Sequence, residues 1–120
     1  MIISGLARGI DGAAHQATLS MPEKHFTAAV CGTGLDTVYP KEHLGLASKI
    51  SKQGLLISEL GSGIGPKPVH FPRRDRIIAA LALGVVVIEA AENSGSLITA
   101  RIAADLGREV FALPGSAHDP

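Results

Sequence analysis

A chain of 120 residues, 46% hydrophobic and only 18% charged, is one domain's worth of sequence with enough small aliphatic side chains for a real core. Eleven Lys and Arg balance eleven Asp and Glu, so no global basic field draws in nucleic acid, and any anion binding must come from local clustering. The lone Cys31 excludes an internal disulfide and fits a reducing cytosol, and no run reaches membrane-spanning length, so the expectation is a cytoplasmic protein without membrane contact.

In chain order, Met1 to Ser4 reads as a buried strand, followed by a loop at Gly5 to Gly9 and an Ala-rich helix from Ile10 to Leu19. After a turn at Pro22 to Lys24, FTAAVC (Phe26 to Cys31) is a second apolar strand, and GTGLDTVYP (Gly32 to Pro40) a loop. Lys41 to Gln53 form a helix with Leu46, Ala47 and Ile50 on one face, closed by Gly54 as a C′ glycine. LLISEL (Leu55 to Leu60) is a third strand, and Gly61 to Phe71 a long Gly/Pro loop. A helix from Pro72 to Leu83 follows, ended by Gly84. VVVIEA (Val85 to Ala90) is a β-branched strand, Ser94 caps a helix from Gly95 to Leu106, Gly107 closes it, and EVFAL (Glu109 to Leu113) is the fifth strand.

Strands that alternate with helices and are apolar along their whole length are buried on both faces. Right-handed crossovers then predict an α/β, Rossmann-like doubly wound fold: a mainly parallel five-stranded sheet with helices on both faces, all in one domain over 1–120. In such a sheet ligands bind beyond the carboxyl ends of the strands. The unusual loops fall on that edge. They are Ser4 to Gly9 with Gly5, Arg8 and Gly9, the Gly32-Thr33-Gly34 turn, Ser58-Glu59, the Phe71 to Arg76 segment, Glu89 to Ser96, and Pro114-Gly115.

Arg73, Arg74 and Arg76 crowd one helix start, where partial positive charge already resides. They form either a solvated basic turn partly neutralised by Asp75 or a phosphate site, and the position of the helix on the ligand edge favours the second. Phe71 beside them is either a packing residue or a platform for a stacked base. Tyr39 reads as a packing residue, the commoner use of an aromatic. Ser94, Gly95 and Ser96 are first a capped helix start and second a set of phosphate donors. Gly-Thr-Gly lacks the full dinucleotide-binding spacing, so no NAD or other cofactor is expected. The histidines His15, His25, His43, His70 and His118 have no ligand spacing, so no metal is expected. Asp36, Glu59 and Glu89 are lip acids that either orient loops and pair with arginines or act in catalysis; no nucleophilic triad can be assembled.

Taken together, SGLARGIDGAAH (4–15), GTGLDTVYPKEH (32–43), GLLISE (54–59), FPRRDRIIAAL (71–81) and VVVIEAAENSGSLITARIAADLGREVFALPG (85–115) resemble the DNA-processing protein A (DprA/Smf) family, in the family's order and over nearly the whole chain. The resemblance implies a non-enzymatic, dimeric protein with an extended Rossmann fold. Such a protein binds single-stranded DNA entering the cell and helps load the RecA recombinase in natural transformation. By motif, the implied DNA-facing positions are Arg8, Lys41, Phe71, Arg73, Arg74 and Arg76, with Ser94, Gly95 and Ser96 lining the same pocket.

Asp75 stands where family members usually carry Asn, and Ala80 where they carry Gly. Asp75 is therefore expected to add negative charge to the anion site and to engage Arg73 or Arg76. The chain starts at what resembles the family's second motif, so the strand before it and the C-terminal winged-helix module are expected to be missing. An apolar sheet edge, self-association or lowered stability follows from that reading. The competing hypothesis is a nucleotide or phospho-sugar hydrolase of the lysine-decarboxylase-like group, using Glu59 and Glu89, although that group's P-G-G-x-G-T-x-x-E signature is absent from the chain.

Overall fold

The computed structural model describes residues 1–21, 25–88 and 95–113, with 95–97 and 113 as backbone only. The elements alternate as expected: β1 (Ile2–Ser4), α1 (Ile10–Leu19), β2 (Thr27–Val30), a 3₁₀ turn (Lys41–His43) leading into α2 (Leu44–Gln53), β3 (Leu55–Ile57), α3 (His70–Leu81), β4 (Gly84–Ile88), α4 (Gly95–Asp105) and β5 (Glu109–Leu113). Every strand pair is parallel.

The middle strand β2 has the sequence TAAV and is buried at all four positions. Its small residues let helices approach closely, and the core gathers there: Leu6, Ala29, Leu46, Ala47 and Ile50, with Leu19, Cys31, Val38 and Leu56 against them. α1 and α2 pack on each other and on β1, β2 and β3, whereas α3 packs on β1 and β2 and most extensively on α4. Leu46, Ala47 and Ile50 all fall on the buried face of α2, as their helical spacing requires.

One expectation is corrected. The five strands form two sheets, β1-β2-β3 and β4-β5, instead of one. Paired strands must lie about 4.8 Å apart. Here a cleft of about 780 Å³, lined by Ile2 and Ile3 from β1 and by Val85 and Val86 from β4, lies where such a pairing would be, and the two strands do not pair. The apolar edge anticipated from the sequence is present, because Ile2 is 46% and Val86 63% exposed.

Three helix-end details also differ from expectation. α3 begins at His70, two residues before Pro72, and stops when Ala82 turns extended, so Gly84 opens β4 instead of ending the helix. Gly54 follows α2 without a left-handed φ; its role is close approach, since a Cβ there would lie 2.1 Å from the Thr27 carbonyl oxygen. Gly54→Ala therefore forces β2 and α2 apart and is expected to cost about 3 kcal/mol, read as a lowered urea midpoint with an unchanged slope. A loss below about 1 kcal/mol would mean that the backbone relaxes freely there.

Candidate nucleic-acid interface

The glycine loop after β1 is shaped by the helix that follows it. Asp11 in the first turn of α1 accepts hydrogen bonds from the N–H groups of Gly5 (2.9 Å) and Ala7 (3.3 Å). One turn later, His15 Nε2 accepts the N–H of Leu6 at 3.3 Å. That requires the proton on Nδ1, which donates to Thr27 Oγ1 (2.6 Å), and the Thr27 hydroxyl donates to the Ile2 carbonyl (3.0 Å). His43 donates from Nδ1 to the Leu6 carbonyl at 2.7 Å. Leu6 is a buried non-glycine residue at φ 64°, and both of its backbone polar groups are thus held by histidines. Burial, reinforced by the nearby His43, pushes His15 down to about 4 against an opposing pull from Asp11.

The three arginines of α3 part company. Arg73 points to solvent beside a crevice of about 300 Å³ that Cys31, Glu59, Leu60 and His70 also line; among the described residues it has no ion-pair partner. Arg76 is exposed and ion-paired with Glu59.

Arg74, expected to face DNA, is instead buried at 7% exposure. Its Nη1 donates to the carbonyls of Gly5 (2.6 Å) and Val30 (2.9 Å), and its Nε to Asp75 Oδ1 (2.9 Å). It ties the carboxyl ends of β1 and β2 to α3. The correction follows from helix geometry: successive residues are 100° apart, so Arg73 and Arg74 cannot share an outward direction. Asp75 engages Arg74 and not Arg73 or Arg76. Burial raises the Asp75 carboxyl above its ordinary range, against the pull of Arg74.

Next to Arg74 the site alternates cations and aromatic rings. The Arg74 guanidinium lies 5.5 Å from the Phe71 ring centre, Phe71 and Tyr39 are 5.5 Å apart and tilted by 42°, and Arg8 sits 5.6 Å over Tyr39. Glycines make this possible: a Cβ on Gly5 would come within 2.5 Å of the Arg74 guanidinium, and one on Gly32 within 2.7 Å of the Phe71 ring. Arg8 is exposed and forked onto Glu42, Nε to Oε2 at 2.8 Å and Nη2 to Oε1 at 3.2 Å. The hydrogen bond to Arg8 holds the Glu42 carboxyl down at about 2, while the Arg8 guanidinium is raised further, first by Glu42 and then by Tyr39.

Arg8, Phe71, Arg74 and the glycines Gly5 and Gly32 thus meet in one cluster, with Arg73 and Arg76 at the adjoining crevice. Lys41 is exposed at the start of the 3₁₀ turn, two residues after Tyr39. Gly9 precedes α1 at φ 82°, and Gly34 lies against the carbonyl of Gly61. Gly95 and Ser96 begin α4, whereas Ser94, Glu89 and Pro114-Gly115 lie outside the described residues. Of the other lip acids, Asp36 accepts the Gly63 N–H at 2.9 Å and Glu59 is held by Arg76. The sequence did not single out Glu42 as Arg8's partner, nor His15 and His43 as holders of the loop. The Asp11/His15 spacing of one helical turn, aimed back at a glycine loop, was the available signal.

Among the described residues no metal-ligating cluster occurs, and no helix is long and apolar enough to cross a membrane. The whole of 1–120 matches the profile of the DNA recombination-mediator protein A family. Protein Smf of Escherichia coli K12 is 52% identical over 120 residues, covering 99% of this chain and 32% of that protein. The X-ray structure of DNA processing protein A from Streptococcus pneumoniae superposes with a TM-score of 0.91 at 52% identity, over 98% of this chain and 41% of that one. A structure described as giving insights into the single-stranded DNA binding mode of the Helicobacter pylori protein has a TM-score of 0.88 at 29% identity, over 99% of this chain and 53% of that one. The chain thus spans between a third and about half of these relatives. By the match along its full length and the superposition of its fold, the chain belongs to the DNA recombination-mediator protein A family.

Proposed function

We propose that this chain is a single-stranded DNA-binding unit that serves DNA uptake in natural transformation, holding the incoming strand in the cytoplasm and passing it, as a homodimer, to the RecA recombinase. The observation that carries the reading is Arg73, a solvent-facing guanidinium with no ion-pair partner among the described residues, at a crevice beyond the carboxyl ends of the strands. Arg76 and Lys41 extend the cationic rim, and Tyr39 with Phe71 supplies aromatic surface beside it. Cations for the backbone and rings for bases are what sequence-tolerant binding of a single strand needs. Membership of a recombination-mediator family supports the same reading. Glu59 is already engaged by Arg76, so it is not free to face a substrate, which weakens the hydrolase alternative.

Anisotropy of a labelled oligo(dT) tests the proposal. The double variant Arg73→Ala/Arg76→Ala is expected to bind about tenfold more weakly near 0.1 M salt, with its log–log salt slope reduced by about 1.4, or about 0.7 per phosphate contact. Equal affinity and slope in variant and parent would show that the strand lies elsewhere.

A further inference from the structure

We propose that Arg8, Tyr39 and Glu42 form a subsite for one nucleotide unit of a single strand, in which phosphate takes Arg8 from Glu42 and the base takes the guanidinium's place on Tyr39. The inference rests on the DNA-binding reading and adds to it a residue that sets how tightly the strand is held.

Glu42 presents two oxygens to the Nε and Nη2 of Arg8, 2.8 and 3.2 Å away. A phosphate offers the same paired acceptors to the same fork, so the carboxylate occupies the position a phosphate would. The pair is open to solvent, with side chains 62% and 58% exposed. An ion pair in water is weak enough for an incoming phosphodiester to displace it.

The aromatic half of the subsite is Tyr39. Phe71 is packed by Gly32 behind it and by the Arg74 guanidinium over its ring and is only partly exposed, so it buttresses Tyr39, the more open of the two rings. Tyr39 is 40% exposed, and Arg8 lies over its ring. When Arg8 swings to a phosphate it vacates that ring face, so a cation and a stacking surface become available together. Every base has a π-face, so the subsite accepts any nucleotide. Glu42 competes for Arg8 throughout, and it lowers affinity for every strand alike.

Tyr39 is the only tyrosine in a chain without tryptophan, so its emission reports on the subsite directly. The 120-residue protein is titrated with unlabelled oligo(dT) and with an abasic oligomer of equal length, and affinities are measured separately by anisotropy. Oligo(dT) is expected to quench Tyr39 emission and the abasic oligomer to bind without quenching it. Glu42→Gln should tighten binding of both by about two- to fivefold, and Tyr39→Leu should abolish the preference for oligo(dT). Binding of oligo(dT) with unchanged Tyr39 emission overturns the subsite and leaves the DNA-binding reading standing, as does an affinity insensitive to Glu42→Gln. Failure of both oligomers to bind at low salt overturns both.

Discussion

Arg74→Ala is expected to destabilise the fold by about 3–5 kcal/mol, because it leaves the Asp75 carboxyl buried without its cation and two strand-end carbonyls without their donor. Small domains are stable by only about 5–15 kcal/mol, so the variant stands near the edge of folding. Urea unfolding would show the midpoint falling by about 2 M. Arg74→Lys should rescue little, since a single ammonium cannot reach two carbonyls and a carboxylate in the geometry of a planar fork. Removing Asp75 as well should recover part of the loss, giving a coupling energy above about 1 kcal/mol. A single-variant loss below about 1 kcal/mol would refute this role for Arg74.

The second large effect is on pH. His15 is fully buried, and its ring accepts a hydrogen bond from the Leu6 N–H, so a proton added at Nε2 would confront another donor. In the unfolded chain the same ring takes up its proton near 6.5, whereas in the fold it does so only near 4. Between those values the unfolded state binds more protons than the native one, so stability rises with pH through that window. The contribution is complete above about pH 6.5 and is lost as the pH falls to 4, a drop of about 3 kcal/mol. Asp75 acts with the opposite sign, because its carboxyl is raised and its protonation favours the fold as the pH falls, so the net slope is somewhat shallower. Urea midpoints at pH 7, 5.5 and 4.5 measure the slope, and His15→Gln should flatten it. A slope unchanged in that variant would assign the acid sensitivity to other groups.

Much of this was legible before any coordinates. α1 and β5 occupy the spans their sequence patterns predict, because a helix preceded by glycine and an apolar run followed by proline are local signals. The split of the sheet was not legible, since whether β1 meets β4 depends on lateral spacing that no local pattern encodes. The arginine turn was read as one cluster when its members diverge. The clue lay in the helical wheel, where Arg74 and Asp75 share a face with Phe71 and Ile78, three and four positions away. Adjacent opposite charges on an apolar face signal an internal pair, whereas Arg73 and Arg76 fall outside it. Arg8 and Lys41 are exposed, and Glu42 was invisible as a competitor because it lies 34 residues from Arg8, in the turn before α2.

The unpaired edges of β1 and β4 have a mechanical meaning. Among the described residues no backbone ladder spans the cleft between them, and the two sheets are joined through α3, which packs on β1, β2 and α4 and leads directly into β4. A continuous sheet resists bending in its plane because every displacement stretches a row of hydrogen bonds; here the two blocks can drift apart or close up while every such row stays intact, and side chains merely slide.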